Sequence, residues 1–417
     1  MRWRARSGRT PTARALGAVG LLVVVATAAV ACGAGGSDGG TARPGQRPRT
    51  GGPDAPARPG GDPTSLWPAS GLLLGTPVYR GDFADPFVLR VGDTLYAYAT
   101  NTKDANLPVI VVRGSPRGTY YGDAFPVLPS WSEPGHVWAP AVLDLGHRFV
   151  LYYSTRVGGT TMQCISRAVA DSPTGPFVDD STGPMVCQRD LGGSIDPSVV
   201  TDTDGGNWLL YKNDGNCCGI PTSIWSVRLR ADGLATTGEE TKLLTAGALW
   251  EGGLIEAPSM VIDGRHHVLF YSGNAWDSDR YGIGYAECRS MTGPCRKVTT
   301  DGPWMSSTAF AKGPGGQEFF SALGQVWMVY HGWARGDAGD PGAERRLYLD
   351  VVEFHDGVPT RVGGRNAALL LLLVAGAAVA VSVGDSDGVA VEDWLLGAGG
   401  SGGGGRGRPR ERPPGGG

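Results

Sequence analysis

Between residues 94 and 333 the chain returns five times to one short pattern, a run dominated by aromatic and branched side chains: TLYAYATN (94–101), RFVLYYST (148–155), NWLLYKND (207–214), HHVLFYSG (266–273) and VWMVYHGW (326–333). Aligned on their aromatic positions, Tyr98, Tyr152, Tyr211, Phe270 and Tyr330 coincide at intervals of 54 to 60 residues. Such runs suit half-buried strands. Upstream of four of them stands a small or acidic residue, then Pro, any residue, and Val or Met: Asp85-Pro86-Phe87-Val88, Ala139-Pro140-Ala141-Val142, Asp196-Pro197-Ser198-Val199 and Ala257-Pro258-Ser259-Met260. Further strand-like runs follow downstream (PVIVVRGS, IWSVRLR, YGIGYAEC, RLYLDVVEF), joined by turns such as SPTG and SMTG. A period of this length holding about four strands is the signature of a propeller blade, because one small sheet cannot bury both faces alone. The pattern predicts an all-β, five-bladed β-propeller over residues 67–363.

Composition agrees. With 68 Gly and 30 Pro in 417 residues a helical bundle is excluded, whereas 41% hydrophobic residues and 12 Trp exclude general disorder. A net charge of −3 with 18% charged residues leaves no footprint for nucleic acid, so a neutral polymer or small molecule is the expected partner.

The ends differ from the middle. Arg2, Arg4, Arg6, Arg9 and Arg14 precede an uncharged apolar run at 15–31 that ends on Ala-Val-Ala before Cys32, which reads as a signal peptide over 1–31. The Cys after small residues resembles a bacterial lipoprotein signal, with Cys32 as the lipidated N-terminus and plain secretion as the alternative. Residues 32–66 are rich in Gly, Pro and Arg and read as a flexible tether. The expected location is therefore the outer face of the cell membrane, or the medium. Beyond residue 364, an apolar segment at 367–383 leads into a Gly/Arg/Pro tail, readable as a second anchor or as a non-native tail.

Six cysteines remain. Cys288 and Cys295 flank a Gly-Pro turn and are expected to pair, as are Cys164 and Cys187; the adjacent Cys217 and Cys218 form either a vicinal bridge or free thiols. No metal-ligand spacing accompanies them.

The innermost strand of each blade lines a propeller's axis, so the residues opening the repeats share an axial pocket. Asp85, Asp196 and Glu256, the last just before Ala257-Pro258, are acids at those openings. The segments GDFADPFV, HVWAPAV, GSIDPSVV and LIEAPSMV, with MVYHGW and RRLYLDVVEF, resemble glycoside hydrolase family 43, five-bladed propellers that act on arabinose- and xylose-containing polysaccharides with inversion. The resemblance implies that Asp85 is the general base, Glu256 the general acid, and Asp196 the residue that orients Glu256 and raises its pKa. Inversion asks for one ionised and one protonated carboxyl, about 6.5 to 9.5 Å apart to admit a water. It further implies sugar contacts from Trp138, His331 and Arg345 (or Arg346), with Asn213 and Asp214 as candidates for the rim. Many relatives hold an axial calcium on the His of a Gly-Pro-Gly-His run; here the run is Gly313-Pro314-Gly315-Gly316-Gln317, which puts a bound calcium in doubt although water ligands could substitute, and no cofactor is expected to be required. The expected activity is release of L-arabinofuranose, or D-xylose, from plant cell-wall saccharides by a monomer, against the alternative of a non-catalytic carbohydrate-binding propeller.

Overall fold

In the computed structural model, residues 77–362 are described apart from 114–117, 335–337 and 341. The signal, tether and C-terminal segments lie outside the described residues. Among the described residues nineteen strands form five antiparallel sheets. Blade one comprises β1 (Phe87–Val91), β2 (Thr94–Tyr98), β3 (Pro108–Val112) and β4 (Thr119–Asp123). Blade two comprises β5 (Trp138–Asp144), β6 (Phe149–Arg156) and β7 (Gln163–Ala170). Blade three holds β8 (Ser194–Thr201), β9 (Asn207–Asn213), β10 (Ser223–Leu229) and β11 (Thr236–Thr245), and blade four β12 (Ile255–Asp263), β13 (His266–Gly273), β14 (Gly282–Cys288) and β15 (Cys295–Lys297). Blade five holds β16 (Lys312–Ala322), β17 (Gln325–Trp333), β18 (Arg345–His355) and β19 (Val358–Val362). Blade two departs from four strands: beyond β6, β7 is met by single bridges from Val178, Val186 and Gly193.

The inner strands neighbour one another in the order β1, β5, β8, β12, β16 and back to β1. Ring closure is reinforced by the N-terminal segment, where Val78 and Phe83 donate backbone hydrogen bonds to Leu347 and Arg345 of β18 at 2.8 and 2.7 Å. Successive side chains of a strand point to opposite faces, so each second strand feeds two interfaces. In β6, Phe149, Leu151 and Tyr153 pack against blade one while Val150 and Tyr152 pack against blade three. In β13, Leu269 and Tyr271 face blade three, and Val268 and Phe270 face blade five. Each of the five interfaces has its own buried cluster. Burial on both faces, rather than one continuous core, is what holds the ring.

The pairing corrects the alignment of the repeats. The cross-strand pairs Phe87↔Tyr98, Ala141↔Tyr152 and Ser259↔Phe270 are matched in blades three and five by Ser198↔Leu210 and Glu318↔Val329. Leu210 and Val329, not Tyr211 and Tyr330, therefore take the equivalent place. Because LLYK and MVYH are apolar on both faces, sequence alone cannot fix which residue faces which blade. Cys164–Cys187, Cys217–Cys218 and Cys288–Cys295 are all bridged, which settles the adjacent cysteines as a vicinal disulfide.

Candidate active site

Five equivalent backbone positions ring the axis: Asp85, Ala139, Asp196, Ala257 and Gly316, with φ of 48°, 44°, 57°, 48° and 59°. Four precede Pro, where a left-handed conformation is disfavoured, and each non-Gly residue there costs about 1–3 kcal/mol. In blades two to five this ring residue lies within a pairing irregularity of the inner strand, a device that turns side chains away from the regular pleat. Hydrogen bonds from the preceding blade hold four of the strained positions. Backbone N–H groups of Ala139, Asp196, Gly316 and Asp85 donate to Thr100 Oγ1 (2.9 Å), Ser154 Oγ (3.0 Å), Ser272 Oγ (3.0 Å) and His331 Nδ1 (3.0 Å). The fifth, from Ala257, is accepted by Asp196 Oδ2 at 2.9 Å.

Asp85, Asp196 and Glu256 open onto one cavity of about 510 Å³, whose wall also includes Trp138, Trp276 and Arg345. Burial would raise the Asp85 pKa, but the Arg345 guanidinium (Nη1 to Oδ1, 3.6 Å) and the Thr100 hydroxyl (2.5 Å to Oδ2) outweigh it and hold the carboxyl well below the usual range. Asp85 is thus ionised. Asp196 is its opposite: burial first, then the charge of Glu256, push its pKa up to about 7, against the lowering influence of Lys212. Glu256, largely buried, accepts from Tyr281 Oη at 2.7 Å on Oε1 and from Lys212 Nζ at 3.0 Å on Oε2. Asp196 also fixes the main chain directly after Glu256 through its bond to Ala257.

Of the other expected contacts, Trp138 and Arg345 line the cavity. The Arg345 guanidinium lies 4.6 Å from the Trp276 ring centroid and 6.0 Å from that of Trp333, whereas Arg346 pairs with Glu344. His331 is fully buried behind Asp85. Burial lowers its pKa, and because Nδ1 accepts the Asp85 N–H, the ring proton belongs on Nε2. Asp214 reaches the cavity, while the Asn213 amide is occupied by Leu191, Pro221, Ser223 and Trp225. Lys212, Tyr281 and Trp276 were not singled out from the sequence. Lys212 lies inside the KNDGN segment, but an isolated Lys in a strand gives no signal of burial.

Gly316 stands where the resemblance expects a metal-binding His. A Cβ there would come within 2.6 Å of His331 Nδ1 and 3.1 Å of Asp85 Oδ1, so no side-chain ligand fits. The Gln317 amide is occupied by the Ser272 hydroxyl (2.9 Å) and the Ala257 carbonyl (2.7 Å). Among the described residues no group of three or more His, Cys, Asp or Glu side chains could hold a metal ion. The residues present do not make the axial calcium site.

An axial cavity joining one ionised carboxyl to two buried acids, walled by Trp and Arg, marks this propeller as a glycosidase by class. Residues 74–359 match the family model of Glycosyl hydrolases family 43, and the chain belongs to that family. It is 24% identical over 304 residues to the β-D-galactofuranosidase xynD of Aspergillus niger, covering 69% of this chain and 84% of that protein. It is also 24% identical over 322 residues to the extracellular endo-α-(1→5)-L-arabinanase 1 of Bacillus subtilis, covering 71% and 90%. Among solved structures, an endo-1,4-β-xylanase from Bacteroides thetaiotaomicron is 26% identical with a TM-score of 0.58, over 69% of this chain and 96% of that one. Membership of the family, with all three acids in place, favours a catalytic propeller over one that only binds carbohydrate.

Proposed function

We propose that the protein is an exported inverting glycosidase that releases L-arabinofuranose, or failing that D-xylose, from plant cell-wall polysaccharides and their oligosaccharides. The observation that carries the reading is the contrast between carboxyls within one cavity: Asp85 is held ionised beside Arg345, while the pKa of Asp196, which holds the main chain directly after Glu256, is pushed up to about 7. Asp85 draws a proton from water as the water oxygen bonds to the anomeric carbon. Glu256 gives its proton to the glycosidic oxygen, which leaves with the electron pair of the broken C–O bond. Asp196 acts by fixing Ala257, and with it the strand that carries Glu256, and by its charge. Trp138, Trp276 and Arg345 form the sugar-facing wall. Export rests on the signal layout and on similarity to proteins named as extracellular; anchoring through Cys32 is part of the proposal.

The test is a substrate panel on the full chain: aryl α-L-arabinofuranoside, aryl β-D-xyloside and aryl β-D-galactofuranoside, then arabinan and xylan with product sizing. Arabinose as the main product is expected, with inversion seen by NMR. Turnover of the galactofuranoside alone would move the substrate assignment, and no turnover of any would refute the enzyme reading for these substrates. Glu256→Ala should lose about 100-fold or more on natural linkages and much less on aryl glycosides, whose leaving groups need little protonation.

A further inference from the structure

Corrected for register, the side chains two residues beyond the matched inter-blade positions are Thr100, Ser154, Lys212, Ser272 and His331. Four of these accept the N–H of the next blade's ring residue. Lys212 cannot, because an ammonium has three donors and no acceptor, and the N–H it leaves is taken by Asp196 Oδ2. A Ser would have satisfied the frame, as in blades two and four. Lys212 is instead a fully buried cation, which is costly unless paired. It reaches Glu256 Oε2 at 3.0 Å and Asn216 Oδ1 at 2.8 Å.

We propose that Lys212 is a positioning residue for the general acid: it fixes the Glu256 carboxyl and stabilises the carboxylate left once the proton has passed to the leaving oxygen. The inference rests on the catalytic reading above. Lys212 itself stays an ammonium throughout. The O–H bond of Glu256 breaks, the new O–H bond forms on the departing oxygen, and the negative charge that appears on Glu256 meets a cation already in place. Nothing need reorganise at that moment, which is where a fixed charge is most effective. Burial lowers the Lys212 pKa, but Glu256, Asp196 and Asp214 together raise it above the usual value. The titratable groups acting with Glu256 are Asp196 of β8, Lys212 of β9, Asp214 after β9, Tyr281 ahead of β14 and His331 of β17, and Asp85 ahead of β1 acts on Asp196. Lys212 is the only cation in direct contact with Glu256 among the described residues.

The discriminating variant is Lys212→Ser, which restores the acceptor found in blades two and four and so should fold. Lys212 lowers the Asp196 pKa, so with the cation gone Asp196 keeps its proton to higher pH, and the alkaline limb of kcat/KM should rise by about one unit or more. Activity on arabino-oligosaccharides should fall about tenfold or more, and on a 4-nitrophenyl glycoside much less. A folded Lys212→Ser protein with an unmoved alkaline limb and an unchanged ratio of the two activities would overturn the proposal. Should Lys212→Ser not fold, Lys212→Arg decides, because its charge is kept. An alkaline limb within about 0.3 units of wild type is then expected, and one displaced by a full unit would refute a role for charge. Wild-type protein that turns over no glycoside would fail the catalytic reading; wild-type turnover with an insensitive Lys212→Ser fails only this inference.

Discussion

Arg345→Met removes the cation that holds Asp85 ionised, and the size of the effect can be worked from the contact. At 3.6 Å two unit charges attract by about 4–5 kcal/mol at an effective dielectric constant of about 20. One pKa unit corresponds to about 1.4 kcal/mol, so up to about 3 units of the lowering on Asp85 depend on Arg345. Thr100 remains in the variant, but burial, the largest influence, then acts against a weaker set. The sign follows: a base must be ionised, its pKa rises, and activity is lost at a higher pH than in wild type as the solution is acidified. Wild-type kcat/KM on an aryl glycoside should show little loss from Asp85 between pH 6 and pH 4. In the variant the ratio of the two values should fall several-fold, because the Asp85 pKa has entered that window. Arg345→Lys, which keeps the charge but loses the planar face packed on Trp276, should retain most of the wild-type acid limb. Circular dichroism at each pH separates titration from unfolding. If the folded methionine variant shows the wild-type ratio, Arg345 does not set the ionisation of Asp85, and the assignment of that pair is wrong.

Two further outcomes follow from packing. Phe270 is fully buried and its ring meets those of Phe319, Trp304, Tyr285 and Phe354 with centroids 4.4, 5.3, 5.9 and 6.3 Å away. Phe270→Ala should cost about 3–5 kcal/mol in denaturant unfolding, and a loss below about 1 kcal/mol would show that the interface between blades four and five is not held by this cluster. Gly316→Ala forces a methyl against His331 and Asp85 at a position whose φ is already left-handed. It should cost about 1–3 kcal/mol and lower kcat more than it raises KM; unchanged kinetics would mean the axis has room for a side chain after all.

That the three acids share one cavity was legible because Asp85 and Asp196 directly precede a Pro at the opening of a repeat and Glu256 lies one residue further from its own. Asp85 and Asp196 occupy equivalent ring positions, and Glu256 lies one residue before its own. Of the partners around them, Arg345 and His331 were named through the resemblance, as sugar contacts, whereas Lys212 and Thr100 were not, for a reason of register. Lys212 lies near the close of β9 and Thr100 just past β2, second strands whose place in the frame depends on which neighbour each side chain faces. An alternating strand would have declared that by polarity, but strands buried on both faces carry no period-two signal. Aligning Tyr211 with Tyr152 hid Lys212 among the apolar residues of its strand. The aromatic wall was half visible: Trp138 stands in a motif, whereas Trp276 precedes β14 in a connection that the repeat does not constrain.

The corrected frame bears on why one symmetric ring supports an asymmetric reaction. Fivefold repetition offers the same backbone turn at every blade, and on its own it would make the carboxyls alike. Two departures separate them. In blade five the accepting position is His331, whose neighbour Arg345 supplies the cation for Asp85. In blade three it is Lys212, which cannot accept and turns to Glu256 instead, leaving Asp196 to accept the N–H of Ala257. That displaced hydrogen bond brings Asp196 to the strand carrying Glu256, where burial and then the charge of Glu256 push the Asp196 pKa up to about 7. On the proposed mechanism, the cation beside Asp85 belongs to the base, and the cation of blade three lies against Glu256, the proposed acid. The difference between the two ends of the reaction thus traces to which residue fills the accepting position in blades three and five.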